Sequence, residues 1–259
     1  MRIAIGIEYN GLAYSGWQHQ GHAPTVQQAV ERALSVVAAH PVKVIAAGRT
    51  DAGVHALGQV AHFDTLAART PRAWLLGTNA NLSRDVALTW VQPVSDEFHA
   101  RFSAQRRRYR YVILNRLARS GVLDTRMAWV HQRLDVDRMA QAAQALLGTH
   151  DFSAYRASAC QSKKPVKIVY ELTVQRRADL IVLDIEADGF LHHMVRNIVG
   201  VLLAIGRGEQ EISWAQEVLQ ARDRKSGGVT ASPHGLYFVH AVYPEHFAIP
   251  RLSSPILVW

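Results

Sequence analysis

The chain has 259 residues, of which 49% are hydrophobic, and a single cysteine, Cys160. This composition excludes an intrinsically disordered protein, the lone cysteine excludes a disulfide within the chain, and the length suits one large domain or two smaller ones. The formal net charge is +8, and 24 of the 29 basic residues are arginine, which favours a nucleic-acid partner because guanidinium groups bind phosphate oxygens and stack on bases.

Hydrophobic periodicity predicts alternating strands and helices in the first half. Arg2–Tyr9 alternates apolar with small or polar residues, as a strand does, and it includes an acid, unlike a signal peptide. Residues 25–40 have one apolar helical face, which Thr25 and Gln28 open with a capping box. The other predicted elements are strands at 42–47, 59–64 and 86–91 and a helix at 71–76.

The second half repeats this order. Residues 107–114 are predicted as a strand, and residues 135–147 as a helix with Asp135 as its N-cap and Gly148 after its C-terminus. The other predicted elements are a hairpin of strands 167–175 and 180–187, helices at 192–205 and 213–221, a capping box of Ser213 and Gln216, and a strand at 236–242.

Helices interleaved with hairpins predict an α+β fold of two related halves, residues 1–104 and 105–259. The longest apolar run of the second half, residues 198–205, is too short to cross a bilayer. Together with the single cysteine, this predicts a cytoplasmic protein without membrane contact.

The most informative segment is the turn at residues 48–56, which follows an apolar run. A glycine-bracketed turn after a strand presents one carboxylate, Asp51, at the edge of a sheet, with Arg49 beside it. The alternative is a turn in which Asp51 only bonds local backbone N–H groups. Gly48 and Gly53 have the spacing of a phosphate loop, but the Lys-Ser/Thr pair that must follow is missing.

The absence of other known motifs narrows the possible chemistry further. No dinucleotide, zinc-protease or nucleophile-elbow motif is present, and neighbours on a helix such as His192 and His193 diverge. The sequence therefore predicts no metal and no cofactor.

Basic and aromatic residues alternate at residues 106–111. A strand there places Arg106, Arg108 and Arg110 on one face, and Arg107, Tyr109 and Tyr111 on the other. This suits phosphate contacts with base stacking, but it also suits a half-buried strand with arginines in water. Arg196 lies in an otherwise apolar helix and needs either a buried partner, for which Asp51 is the candidate, or a path to solvent.

At this point the chain resembles the tRNA pseudouridine synthase A family. The resemblance covers nearly the whole chain in seven motifs that occur in the same order. They lie at residues 16–18 with 25–27, 48–55, 98–104, 108–111, 150–153, 193–200 and 235–237.

The resemblance implies a cofactor-free isomerase that converts uridines at positions 38 to 40 of the tRNA anticodon arm to pseudouridine. It implies two loosely ferredoxin-like halves whose sheets meet around a basic cleft, and a homodimer in which one tRNA contacts both subunits. Asp51 matches the catalytic nucleophile, and Tyr109 the tyrosine that packs on the target uracil. Arg196 matches the partner of the aspartate, Arg49 an arginine that assists nucleotide extrusion, and Leu236 a residue of the uracil pocket.

Two other classes of function remain open. A non-catalytic RNA-binding protein explains the charge and the Arg/Tyr strand equally well, but it does not require Asp51 to pair with Arg196. A small-molecule enzyme predicts a narrow cleft and a phosphate or cofactor motif, which the sequence lacks. Arg108 and Arg110 are predicted to contact the RNA in either RNA-binding case.

Overall fold

The computed structural model describes residues 1–158, 160, 162 and 164–250. The chain forms two compact units. The first unit contains Met1–Arg107 and the described part of Tyr237–Val258, and the second contains Arg108–Leu236. These units differ from the predicted halves because the chain returns to the first unit at Tyr237, where its last described strand pairs with a strand of that unit.

The first unit is a mixed sheet with two helices. Its elements are β1 (Arg2–Tyr9), α1 (Val26–Ala38), β2 (Ile45–Ala46), β3 (His55–Asp64), α2 (Pro71–Ala80), β4 (Val86–Val94) and β10 (Leu236–Val242). The strand order is β4-β1-β3-β10, and β2 pairs with β3. β1 runs antiparallel to both neighbours, whereas β10 runs parallel to β3. Phe63 of β3 packs edge-on against Trp74 of α2, with ring centroids 5.2 Å apart.

The second unit likewise combines a sheet with helices. Its elements are β5 (Arg106–Asn115), β6 (Ala128–Val130), α3 (Val136–Gln144), β7 (Gly148–Asp151), β8 (Val166–Arg177), β9 (Leu180–Ala187), α4 (Met194–Gly206) and α5 (Trp214–Ala221). The strand order is β5-β9-β8-β7, with β6 beside β5. Every residue of α4 except Arg196 is buried. The predicted α+β class is confirmed by these two units.

Two predicted elements near the turn are wrong in extent. The strand predicted at 42–47 shrinks to Ile45–Ala46, because side chains of α1 occupy the backbone N–H groups before it. Val42 donates to Ser35 Oγ at 2.9 Å, and Val44 donates to Glu31 Oε1 at 3.0 Å. β3 begins at His55, four residues before the predicted start, so the turn leads straight into a strand.

Two helix starts also differ from the prediction. α4 begins at Met194 because the residue before it, His193, takes a left-handed backbone with φ of 61°. Ser213 precedes α5 without a side-chain capping bond, so the predicted capping box there is wrong. By contrast, Thr25 and Asp135 cap α1 and α3 as predicted. Among the residues described, no helix is both long and apolar enough to cross a membrane.

Candidate active site

The turn that carries Asp51 is fixed from several sides within the first unit. The backbone carbonyl of Thr50 accepts the N–H of Trp17 at 3.0 Å. The Thr50 hydroxyl shares a buried 2.7 Å hydrogen bond with Tyr9, and burial raises the pKa of Tyr9 to about 12, so this phenol stays protonated. Gln59 of β3 donates its amide to the Gly48 carbonyl at 2.7 Å. The backbone on both sides of Asp51 therefore has little freedom to move.

A glycine in the preceding loop allows this close approach. Gly16 has φ of 86°, and a Cβ built there would stand 2.6 Å from the Thr50 carbonyl oxygen and 3.1 Å from the Asp51 carbonyl carbon. At the far side of the turn, Val54 donates its N–H to the Asp51 carbonyl at 3.1 Å. Asp51 is half-buried and Arg49 is exposed. The sequence thus predicted the turn correctly but gave no sign of the contact with Gly16.

A buried histidine supports the turn where it enters β3. His55 accepts the Gly11 N–H at Nδ1 at 3.1 Å, and its ring stacks on Tyr237 of β10 at 4.8 Å between centroids. A Cβ on Gly11 would collide with the Val54 carbonyl oxygen. His55 lies inside the turn motif of the sequence, but its packing on a strand far along the chain could not be read there.

The predicted alternation of β5 is present in the second unit. Tyr109 is 7% exposed and packs edge-on against Phe190, with centroids 4.9 Å apart. Tyr111 is fully buried and donates its hydroxyl to the Ser232 carbonyl at 2.8 Å. Burial raises the pKa of Tyr111, and the charge of Arg196 opposes that shift. Tyr109 and Tyr111 therefore lie on the same face of β5, and Arg196 lies near Tyr111.

Arg108 and Arg110 both pair with carboxylates of the same sheet, one on β9 beside β5 and one on β8, the strand beyond it. Arg108 binds both oxygens of Glu171, at 2.9 and 2.8 Å. Arg110 binds both oxygens of Asp184 at 2.8 Å, and Arg108 lies 3.8 Å from the same acid. The sequence alone missed these partners. A contact with RNA phosphate by either arginine stays a prediction, and it would have to coexist with these ion pairs.

Arg196 lies in the first turn of α4, where both its side chain and its backbone bond to Ala231. Its Nε donates to the Ala231 carbonyl at 2.8 Å, and its carbonyl accepts the Ala231 N–H at 3.1 Å. The next residue, Asn197, is buried and donates to the Tyr155 carbonyl at 2.8 Å. The start of α4 is thus a fixed platform for Arg196. Asp51 belongs to the first unit and Arg196 to the second, and their pairing stays a prediction.

Leu236 is the last of the predicted site residues, and His192 and His193 are the pair that the sequence rejected as metal ligands. Leu236 begins β10 and is 5% exposed. The preceding Gly235 allows close packing, because a Cβ there would stand 2.5 Å from the Val112 carbonyl oxygen. His192 and His193 lie before α4, not on it, and their rings are 4.0 Å apart. The argument that they diverge on a helix is therefore wrong.

The second unit also contains a groove of about 1370 Å³. It runs between the start of α3 and the end of α4, and five arginines line it. At least four of them are bonded within the protein: Arg176 donates to the Leu134 carbonyl at 3.0 Å, Arg138 to the Gln210 carbonyl at 3.0 Å, Arg116 to the Ala118 carbonyl at 2.9 Å and Arg207 to both oxygens of Glu209. None of the predicted site residues is part of its lining.

Comparison with known proteins identifies the family of the chain. A family model described as tRNA pseudouridine synthase matches residues 5–103 and 142–244. The chain therefore belongs to the tRNA pseudouridine synthase family, whose members are isomerases.

Similar proteins align with the chain over all or nearly all of its length. The tRNA pseudouridine synthase A of Nitrosococcus oceani is 58% identical over 259 residues, 100% of both chains. The protein of that name from Pseudomonas aeruginosa is 57% identical, over 96% of this chain and 88% of its own. That from Vibrio campbellii is 53% identical, over 97% of this chain and 96% of its own.

Proposed function

We propose that the protein isomerises uridines at positions 38 to 40 of the tRNA anticodon arm, with Asp51 as the nucleophile. The observation that carries the proposal is the turn at Asp51, which is bonded from β1, from β3 and from the loop at Gly16. A preorganised carboxylate suits covalent catalysis, because it needs no reorganisation when the reaction begins.

The reaction breaks the C1′–N1 bond, turns the uracil, and joins C1′ to C5. The C5 proton leaves and N1 gains a proton, so substrate and product have the same atoms. Attack by Asp51 on C1′, attack on C6, and a glycal route all start from the same ionised acid. A carboxylate supplies each of them without a redox or metal cofactor.

The other predicted residues take supporting roles. Tyr109 packs on the target uracil, and its hydroxyl acts as a general acid or base in the proton transfers of the reaction. Arg196 pairs with Asp51 and keeps it ionised and oriented. Leu236 lines the uracil pocket, and Arg49 assists extrusion of the nucleotide, which costs a few kcal/mol of unstacking.

Arg108 and Arg110 are proposed as RNA contacts of a particular kind. A guanidinium group has five N–H donors, and a carboxylate that binds two of them leaves three. Because Glu171 and Asp184 offset the positive charges, each contact is mainly a hydrogen bond. Such a contact should add little to the salt dependence of RNA binding.

The test uses unmodified tRNA and chemical mapping of pseudouridine. Wild-type protein should modify uridines at 38 to 40, and a tRNA with cytidines there should give no product. Asp51→Asn should retain the fold and tRNA affinity but form no pseudouridine. Asp96→Asn, which neutralises an exposed acid of the same unit, is the control and should be active. An active Asp51→Asn variant would refute the nucleophile, and a wild-type protein that only binds tRNA would favour the non-catalytic alternative.

We also propose that the protein works in the cytoplasm as a homodimer, with one tRNA in contact with both subunits. Light scattering of the purified protein should give twice the mass of the chain, and a monomeric mass at assay concentration would contradict this. Fractionation of cells should place the protein in the soluble fraction rather than with the membranes.

A further inference from the structure

An exposed aromatic ring in the first unit has no role in the site described above. Phe102 lies in the connection between β4 and β5 and is 76% exposed. A large apolar side chain gains nothing in stability from such exposure. Single exposed apolar residues are common on protein surfaces, so exposure alone does not indicate a function. What distinguishes Phe102 is how firmly its position is fixed.

The ring of Phe102 rests on a histidine that binds its own loop. It stacks on His99 with centroids 4.3 Å apart and an interplanar angle of 27°. His99 Nδ1 accepts the N–H groups of Phe102 at 3.1 Å and of Arg101 at 3.2 Å. The edge of His99 meets the buried ring of His62, with centroids 4.8 Å apart. One face of the phenyl ring is therefore backed by a stack that reaches the sheet.

The rest of the loop is anchored just as firmly. Ala100 donates its N–H to His62 Nδ1 at 3.1 Å and accepts the Tyr243 hydroxyl at 2.6 Å. Ser103 donates its N–H to the His99 carbonyl at 2.9 Å. Arg2 donates to the Phe98 carbonyl at 2.9 Å. A ligand that stacks on Phe102 therefore has little loop entropy to overcome.

The surroundings of Phe102 are positively charged and connected to the Asp51 turn. The guanidinium carbon of Arg101 lies over the Phe102 ring, 5.6 Å from its centroid. The guanidinium group of Arg107 bonds the Arg101 carbonyl and also the Ala47 carbonyl, the latter at 3.2 Å. Ala47 directly precedes the turn, so one side chain joins the Phe102 loop to the base of that turn.

We propose that Phe102 is a stacking platform for an unpaired nucleobase of the RNA substrate other than the target uridine. Arg101, whose guanidinium group lies over this ring, binds the phosphate of the same nucleotide. A fixed aromatic face next to an arginine is the combination that binds single-stranded bases without reading their sequence. This inference rests on the proposed function for the identity of the RNA, and it adds a second point of contact on the first unit.

The test compares two RNAs and three variants. Phe102→Ala should weaken the binding of unmodified tRNA by about 5- to 160-fold, the effect of one lost stacking contact. The same variant should bind a continuous RNA duplex of equal charge as the wild type does. Phe102→Tyr keeps the ring and should bind tRNA normally. Leu66→Ala removes another exposed apolar side chain, 94% exposed, and should change nothing.

Three results would overturn the platform. The first is an unchanged affinity of Phe102→Ala for tRNA, and the second is an equal loss for tRNA and duplex. The third is a fall in the particle mass with unchanged tRNA affinity, which would assign the ring to a second copy of this chain. Pseudouridine mapping with wild-type protein is scored separately, so a failure of the proposed isomerisation and a failure of the platform give different results.

Discussion

His62 should make the first unit sensitive to acid in a defined pH range. Its ring is 2% exposed, and burial lowers its pKa from 6.5 to about 4. Protonation would also place a proton on Nδ1, which accepts the Ala100 N–H at 3.1 Å. The folded protein therefore holds this histidine neutral where the unfolded chain would bind a proton.

The sign and the size of the effect follow from that difference. Below pH 6.5 His62 binds a proton in the unfolded chain but stays neutral in the folded protein. The free energy of unfolding therefore falls as the pH drops. Near pH 4 the folded state also takes the proton, and this contribution levels off. One pKa unit equals about 1.4 kcal/mol, so the loss from this residue reaches at most about 3 kcal/mol.

Urea unfolding, in steps from above pH 6.5 to just above pH 4, measures this loss. His62→Asn keeps an acceptor for Ala100 and has no titrating group, so it should lose less stability than wild type over this range. Its stability is lower at every pH because a ring is missing from the core. His22→Gln, at an exposed histidine, is the control. Parallel curves for wild type and His62→Asn would refute the reasoning.

The other predictions concern the Asp51 turn, the hydroxyl of Tyr109 and the expected activity without a metal. Gly16→Ala should push the Asp51 turn aside and lower pseudouridine formation about a hundredfold, the cost of a misplacement near one ångström, with tRNA affinity kept. Gly21→Ala, where a Cβ meets nothing within 4 Å, should be normal, and equal activities would contradict the argument. Tyr109→Phe should slow single-turnover formation about a hundredfold or more without weakening tRNA binding, and an unchanged rate would remove the hydroxyl from the mechanism. Dialysis against a chelator should leave activity unchanged, whereas a loss restored by a divalent ion would show that a metal takes part.

Local patterns predicted the elements whose ends depend on nearby residues. Arg2–Tyr9, which alternates, and Leu236–Val242, which is a short apolar run, form strands with the predicted bounds, and both pair along a sheet. Asp135 caps α3 as predicted, since its partner, the N–H of Arg138, is three residues away. The pattern failed at residues 42–47, where side chains from α1 take the backbone N–H groups that a longer strand would need.

For the site, the sequence identified residues but not the contacts that hold them. The alternation at residues 106–111 gave the correct faces of β5. The partners of Arg108 and Arg110, however, are acids that lie 63 and 74 residues further along the chain. The role of Gly16 likewise depends on its distance from Thr50 in space. Such pairings arise from the path of the chain, which periodicity does not encode.

The return of the chain to the first unit has a consequence for synthesis on the ribosome. β10 lies beside β3 at Tyr237–His55 and Phe238–Ala56, immediately after the Asp51 turn. Translation has to add the whole second unit before it supplies this strand. Until then the nascent chain leaves the start of β3 unpaired on this edge, at His55 and Ala56, and His55 without the Tyr237 ring that stacks on it. A polypeptide released early would therefore carry Asp51, the proposed nucleophile, on an unfinished scaffold.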